Sequence, residues 1–221
     1  MKHRVISCGD SWACVDNRYP VQRQWPIQVS TRVNSEILMY LGRGGADNLY
    51  IHNQAEWAIR HHNPTHLILT WTDPDRFCMR LPGAQDVRTS TPAQVKTQVN
   101  QDEANWDYEV SEPSLWSDTW NNVVGTDPPS RHRYPEISES EWQVLTQYYL
   151  KFWSTSEQDR LKHILIRDIE NQCAEQNIQL VTTNKFLISL LPSTDSDVLC
   201  NHLSLQQHDV LTELILAEIL A

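Results

Sequence analysis

The chain has 221 residues, of which 40% are hydrophobic and 21% charged, a composition typical of one globular domain rather than of a disordered chain. Its formal net charge of −10 argues against nucleic acid as a partner, because binding to a phosphate backbone depends on Lys and Arg. No apolar run is long enough to span a bilayer or to form a secretory signal, so we expect no membrane partner and a cytoplasmic location.

The cysteines and histidines predict neither a disulfide framework nor a metal site. His62 and His66 have the spacing of a helical metal-binding pair, but Pro64 lies between them and is expected to break the helix. We therefore expect no metal and no other cofactor. The cysteines are odd in number and contain no Cys-x-x-Cys pair, which favours reduced thiols: Cys8, Cys14, Cys78, Cys173 and Cys200.

The first third of the chain alternates between predicted strands and helices. Pro26 suits the first turn of a helix, Asp47 is a candidate N-cap, and Asn63-Pro64 ends the second helix. Alternation with short connections predicts an α/β fold, with a parallel sheet and helices on both faces. The predicted elements are a strand over 4–8, a helix over 25–32, a strand over 36–41, a helix over 48–62 and a strand over 66–71.

A polar, proline-rich segment then interrupts this alternation. Residues 81–134 show no sustained periodicity, and we interpret about 81–136 as an irregular insertion or lid at the edge of the sheet, within a single domain over 1–221. Trp106, Trp116 and Trp120 lie in this insertion. They are interpreted as fixing the loop to the domain, with contacts to sugar rings or acyl chains as the alternative.

Helices resume after the insertion. The apolar face of the second of them is predicted to contain Leu161, Ile164, Leu165 and Ile169. The predicted elements are helices over 138–153 and 156–176, a strand over 178–183, an extended segment over 186–191, and a last helix over 205–220 that Ser204 caps.

Four short segments are expected to meet at one edge of the sheet. Ligands of open parallel sheets bind beyond the carboxyl ends of the strands, and there the chain has 9–11, 44–48 and 70–73. The fourth segment is 200–204, just before the last helix. Ser11 is the candidate nucleophile and needs a base, for which His202 is the histidine in a suitable late loop. The backbone N–H groups of Ser11 and Gly45 are candidate oxyanion donors, with a third donor expected from the loop after the third strand.

These residues resemble the SGNH, or GDSL-type, hydrolases. The resemblance is carried by Gly9-Asp10-Ser11-Trp12, Gly45-Ala46-Asp47-Asn48, Trp71-Thr72-Asp73 and His202-Leu203-Ser204, and it covers about 4–80 and 178–220. The most similar group is encoded by tailed phages. The resemblance implies a flavodoxin-like three-layer α/β/α fold and ester hydrolysis, with Ser11 as nucleophile, Gly45 as oxyanion donor and His202 as general base.

Two positions depart from the family's pattern. Thr72 stands where the family usually has an asparagine donor, and Leu199 stands where it usually has the aspartate that orients the histidine. Asp197 or Asp195 is a candidate for orienting His202, with a Ser-His dyad fixed by a carbonyl as a further alternative. Asn48 is assigned, like Thr72, to oxyanion or substrate binding, with capping of its helix or bracing of the Ser11 turn as the alternatives.

The sequence thus predicts a serine esterase or deacetylase. Its expected substrate is an acyl ester, acetyl in the first instance, on a carbohydrate or similar small molecule, and we assign Trp12 to substrate binding beside Ser11. The alternative is a catalytically silent virion protein or glycan-binding protein of the same fold. In that case the expected location is the virion. Self-association or association with a virion stays open. Asp10 is expected to cap the turn or to pair with a nearby backbone N–H, and His208 to pack in the core or to support the residues of the site.

Overall fold

The computed structural model describes residues 2–10, 12–13, 19–42, 46–72, 74, 76–80, 94–96, 109–110, 120–124, 138–152, 154–190 and 203–221. The strands are β1 (Val5–Gly9), β2 (Leu38–Tyr40), β3 (His66–Thr70), β4 (Arg76–Arg80), β5 (Gln94–Lys96), β6 (Glu109–Val110), β7 (Trp120–Val124) and β8 (Gln179–Thr182). The helices are α1 (Trp25–Arg32), α2 (Asn48–His62), α3 (Glu139–Phe152), α4 (Thr155–Glu175), α5 (Asn184–Leu190) and α6 (Leu205–Ile219), with a short 3₁₀ helix at Val21–Arg23.

Four parallel strands form one side of a six-stranded sheet, in the order β2-β1-β3-β8. β1 lies between β2 and β3, so that Val5 is opposite both Leu38 and His66. This strand order is that of flavodoxin-like doubly wound sheets, in which ligands bind at the carboxyl ends of the strands beside the first one. The predicted α/β fold with a parallel sheet is confirmed.

Helices cover both faces of this sheet. Successive side chains of a buried strand point to opposite faces, so each strand contributes apolar side chains to both. In β1, Ile6 and Cys8 belong to a buried cluster with residues of α2 and α4, which we call the α2–α4 cluster. Val5 belongs to a second cluster with residues of α1 and α6, the α1–α6 cluster. In β3, Leu67 and Ile68 divide between the two clusters in the same way. The predicted three-layer arrangement follows from this alternation.

Helix α2 begins and ends at the predicted residues. The Asp47 carboxylate accepts a hydrogen bond from the N–H of Tyr50 at 2.8 Å, as expected of an N-cap. Asn63 adopts a left-handed conformation with φ of 41° and ends the helix, and proline follows it. Because the helix ends here, His62 and His66 do not share a helix face.

The extended segment predicted over 186–191 is wrong, because helix α5 occupies most of it. The carbonyl oxygen of Thr183 accepts hydrogen bonds from the N–H groups of Phe186 and Leu187, which starts the helix. Phe186, Leu187 and Leu190 then pack against the α1–α6 cluster. A short apolar run fits a strand and a helix equally well, so its pattern alone does not separate them.

The buried face of α4 is narrower than predicted. Leu165 and Ile169 are buried as expected, and Cys173 continues the same line at a spacing of four residues. Leu161 and Ile164 are 39% and 57% exposed, so the buried part of this face does not include them. Leu165, Ile169 and Cys173, at i, i+4 and i+8, belong to the cluster with α2 and the sheet, and half-buried Ile166 packs against it.

The described parts of the predicted insertion lie in two places. β5 and β6 continue the six-stranded sheet beyond β2 as antiparallel strands, with Met39 opposite Val95. β7 contains Trp120 and pairs with β4 in a separate two-stranded ribbon. Trp106 and Trp116 lie outside the described residues, and the limits of the insertion and the single-domain organisation stay predictions. None of the helices that the structure describes combines the length and hydropathy needed to cross a membrane.

Candidate functional site

The turn that follows β1 is held by Asp10. Its Oδ1 atom accepts a hydrogen bond from the N–H of Trp12 at 3.0 Å, and its carbonyl oxygen accepts one from the N–H of Ala13 at 3.1 Å. Asp10 is buried, so these bonds form away from bulk water. The prediction that Asp10 caps this turn is confirmed. Ser11 lies in the chain between Asp10 and Trp12.

Gly9 ends β1 and leaves no room for a side chain between β3 and the following turn. Its φ is 157°, and a Cβ atom added to it would lie 2.7 Å from the Cβ of Thr70 and 2.8 Å from the Cβ of Ala13. Carbon atoms do not pack at such distances, so a larger residue would displace either the neighbouring strand or the turn. A glycine at this position therefore lets the turn begin directly against β3.

A buried hydrogen-bond network joins the loops that follow β1, β2 and β3. Thr72, two residues after β3, donates from its hydroxyl to Asp10 Oδ2 at 2.9 Å. The backbone N–H of Thr72 donates to Oδ1 of Asn48, the first residue of α2, at 3.0 Å. Lys162 of α4 donates to the carbonyl oxygen of Thr72 at 2.9 Å. This Asp10–Thr72–Asn48 network brings the three loops together at one edge of the sheet.

The side chain of Gln54, on α2, connects the ends of β1 and β2 by two hydrogen bonds. The side chain is fully buried on α2, and its Oε1 accepts a hydrogen bond from the N–H of Gly9 at 2.8 Å. Its Nε2 donates to the carbonyl oxygen of Leu41. This residue was not among those predicted from the sequence. Its signal was a polar side chain on the apolar face of a predicted amphipathic helix, beside Ile51 and Ala55.

Asn184 fixes the end of β3 from the other side. It exchanges two hydrogen bonds with the backbone of Trp71, accepting from the N–H at 2.9 Å and donating to the carbonyl oxygen at 2.6 Å. One strand position earlier, the hydroxyls of Thr70 and Thr183 are 2.8 Å apart. Asn184 was not predicted as a site residue, because no helix start was expected after β8. These bonds leave the loop that carries Thr72 little freedom.

The start of α6 packs near the turn after β1. Nδ1 of His208 accepts a hydrogen bond from the backbone N–H of Trp25 at 3.3 Å, and the indole N–H of Trp25 donates to the carbonyl oxygen of Trp12 at 2.7 Å. His208 is buried, which confirms it as a packing residue. Leu203, directly after His202 in the chain, belongs to the same α1–α6 cluster as Ala13.

Three of the predicted site residues are described. Trp12 is half-buried and packs against the α1–α6 cluster. Asn48 and Thr72 are buried, and Oδ1 of Asn48 accepts a hydrogen bond from the N–H of Thr72. The side chain of Asn48 therefore contacts the loop after β3. The other predicted residues lie outside the described residues, and their roles stay predictions: Ser11, Gly45, Asp195, Asp197 and His202.

Two cysteines of the α2–α4 cluster are buried thiols. Burial raises the pKa of Cys8, which lies in β1, well above its usual range. Burial also raises the pKa of Cys173 to about 11. Neither group forms a thiolate at neutral pH, so neither is suited to act as a nucleophile. Across the described ranges, no three His, Cys, Asp or Glu side chains are grouped as a metal site would require.

Comparisons with known proteins give structural likenesses. The sequence matches no protein-family model and no curated protein. The structure is similar to a protein assigned to the lipolytic G-D-S-L family from Desulfitobacterium hafniense DCB-2, with 11% identity, a TM-score of 0.40, and 98% of this chain and 99% of that chain covered. It is also similar to a member of the same family from Veillonella parvula DSM 2008, with 12% identity, a TM-score of 0.37, and coverage of 97% and 96%. At these values the likeness defines no activity, and it gives no support to a phage origin.

Proposed function

We propose that the protein is a serine hydrolase that cleaves a carboxylic ester through an acyl-Ser11 intermediate. The observation that carries this proposal is the Asp10–Thr72–Asn48 network. It joins the three loops on which the sequence places a nucleophile and its oxyanion donors, at the edge where ligands of parallel sheets bind. The resemblance of the same segments to SGNH hydrolases supplies the expected role of each residue.

In the proposed reaction, Ser11 Oγ attacks the ester carbonyl carbon while His202 takes the hydroxyl proton. The electron pair of the carbonyl moves to its oxygen, which accepts hydrogen bonds from the backbone N–H groups of Ser11 and Gly45. The alcohol then leaves with the proton from His202, and acyl-Ser11 remains. His202 next deprotonates a water molecule, whose oxygen attacks the acyl carbon. The bond from that carbon to Ser11 Oγ then breaks, the acid leaves, and His202 returns the proton to Ser11 Oγ.

Packing around α6 supports His202 as the base. Leu203 and Ala13 belong to one buried cluster, and Trp12 packs against it. The residues that follow Ser11 and His202 in the chain therefore share a cluster. His208 is less suited to be the base, because its Nδ1 already accepts a hydrogen bond from the backbone N–H of Trp25. Asp197, or else Asp195, is proposed to orient the imidazole of His202, and a Ser-His dyad with a backbone carbonyl is the alternative.

The proposed substrate is a small acyl ester, with an acetyl group on a carbohydrate as the first case to test. The resemblance to SGNH hydrolases is the basis for this choice. Trp12 supports it, because a half-buried indole next to Ser11 offers a flat apolar surface to the acyl group or to a sugar ring.

The first experiment measures hydrolysis of p-nitrophenyl acetate by the wild type, by Ser11→Ala and by Ser156→Ala. Ser156 is an exposed serine at the start of α4 and serves as the matched control. We expect activity in the wild type and in the control, loss of activity in Ser11→Ala, and labelling of Ser11 by a fluorophosphonate. A wild type that is no faster than Ser11→Ala and carries no label would contradict the proposal and favour a binding protein.

A second set of variants tests the base. His202→Ala is compared with His163→Ala, since the His163 side chain is largely exposed on α4. Loss of turnover in His202→Ala alone is the expected result, by several orders of magnitude if the residue acts as in other serine hydrolases. Equal turnover in the two variants would contradict the assignment of His202. Asp197→Asn and Asp195→Asn, measured in the same assay, then separate the candidates for the orienting carboxylate.

A further inference from the structure

We infer that Gln207 is a positioning residue of the proposed site, because its side chain joins the end of α5 to the start of α6 and thereby fixes where His202 is held. This inference rests on the proposed function, which assigns the base to His202. Segment 191–202 lies between the two helices in the chain and contains His202 and both candidate carboxylates, Asp195 and Asp197. Gln207 and the residues that its side chain bonds lie outside this segment, in the described part of the chain.

The side-chain amide of Gln207 bonds two helix ends at once. Its Oε1 accepts a hydrogen bond from the backbone N–H of Ser204, the N-cap of α6, at 2.7 Å. Its Nε2 donates to the carbonyl oxygen of Leu190, the last residue of α5, at 2.6 Å. Because only the amide oxygen accepts from an N–H, the first bond fixes the orientation of the amide and turns its NH₂ group toward Leu190. One planar group thus joins the two helices.

Capping of α6 explains only one of these two bonds. In the capping box, the N–H of Gln207 donates to Ser204 Oγ at 3.3 Å, and the Gln207 side chain accepts the N–H of Ser204. A glutamate performs this role equally well, because the box uses only an acceptor at the third helical position. The bond to Leu190 needs the NH₂ group, and it satisfies one of the carbonyl oxygens that have no partner within their own helix. An amide at position 207 therefore does more than start α6.

Both flanks of segment 191–202 rest on the same part of the core. Leu203 is 3% exposed and belongs to the α1–α6 cluster, and Leu190 packs against that cluster. Ala13, which closely follows Ser11 in the chain, belongs to it as well. The hydrogen bond to Leu190 therefore closes the segment into a loop, whose ends are held at the cluster that also holds the chain after Ser11.

A loop with fixed ends suits a residue that must be placed accurately. Fixing both ends removes conformations that the loop otherwise samples. A general base has to lie within hydrogen-bond reach of the proton that it takes, and a displacement of about 1 Å can cost about 10²-fold in rate. Loss of the bond between Gln207 and Leu190 is therefore expected to displace His202 without removing any group that touches the substrate.

The test separates this bond from the capping box. Gln207→Glu keeps an acceptor for the N–H of Ser204 but replaces the donor to Leu190 by a carboxylate oxygen. Gln206→Glu makes the same change at the exposed neighbouring position and is the matched control. Ser204→Ala removes the side-chain cap and leaves both bonds of the Gln207 amide in place. For these variants and the wild type, kcat and KM with p-nitrophenyl acetate, the melting temperature, and hydrogen–deuterium exchange of peptides from 191–203 are measured.

We expect Gln207→Glu to lower kcat by about 10- to 100-fold, with KM within about twofold of the wild type, and to speed exchange in peptides from 191–203. Gln206→Glu should match the wild type in every measurement. Ser204→Ala should melt about 2–4 °C lower and keep kcat within about twofold. A residue that only starts α6 would give the opposite order, since Ser204→Ala would then be the more damaging variant.

Unchanged exchange in Gln207→Glu, or a fall in its kcat of less than about threefold, would overturn the inference. A loss of kcat in Ser204→Ala as large as that in Gln207→Glu would overturn it too. Gln207→Met, which is apolar and of similar length, covers the case in which Gln207→Glu does not fold, and the same two limits apply to it. If the wild type neither hydrolyses the ester nor reacts with a fluorophosphonate, the proposed function itself fails, which is a different outcome from an active wild type whose Gln207→Glu variant keeps its kcat.

Discussion

Replacement of Gln54 by leucine should destabilise the fold more than any exposed substitution of the same kind. Leucine is similar in size but has no polar atoms, so the N–H of Gly9 and the carbonyl oxygen of Leu41 both lose their partner. Both residues are buried, and a buried polar group left unpaired costs about 1–3 kcal/mol. Two such groups predict a loss of about 2–6 kcal/mol in the free energy of unfolding.

Urea denaturation followed by far-UV circular dichroism measures this loss. The control is Gln143→Leu, because Gln143 is exposed on α3, and we expect it to change the free energy of unfolding by less than about 0.5 kcal/mol. A loss below about 1 kcal/mol for Gln54→Leu would refute the reasoning, since it would mean that the two backbone groups find other partners. If the variant folds, we also expect slower ester hydrolysis, because Gln54 supports the loops on both sides of β1.

Three further predictions concern titratable and capping groups. Burial, together with neighbouring His3, lowers the pKa of His66, so the unfolded chain binds more protons than the folded one as pH falls through about 6.5. The free energy of unfolding should therefore decrease between about pH 7.5 and pH 5.5, and decrease less in His66→Gln. Native protein treated with iodoacetamide at about pH 8 should leave Cys8 and Cys173 unmodified by mass spectrometry, because burial raises the pKa of both thiols, whereas urea should expose them. Ser204→Ala removes the capping box that Ser204 forms with Gln207, and it should lower the free energy of unfolding by about 1 kcal/mol in the same urea assay.

The fold was largely predictable because strands and helices alternate with clear boundary signals. Asp47 and the Asn63-Pro64 pair define both ends of α2, and Ser204 defines the start of α6. These are local effects, in which a side chain satisfies a free backbone group of its own helix. The segment that became α5 lacks such a signal, since its start depends on the carbonyl oxygen of Thr183 rather than on a side chain.

The contacts at the candidate site were predictable in outline only. The sequence places the loops after β1, β2 and β3 at one edge, because parallel strands end on the same side of a sheet. It does not show which polar groups pair across those loops. The bond between Thr72 and Asp10 joins residues 62 positions apart, and the bond between Lys162 and Thr72 joins residues 90 positions apart. Such pairings depend on packing in three dimensions, which a single sequence does not contain.

The position of α6 has a consequence for biosynthesis. Its buried residues Leu211, Ile215 and Ile219 belong to the cluster that covers one face of the sheet, together with Val5 and Ile68. The ribosome adds this helix after the described strands of the sheet, so a nascent chain that has not yet reached α6 exposes a strip of apolar surface on that face. Polypeptides that stop before α6 should therefore aggregate or bind chaperones instead of accumulating as folded, inactive protein.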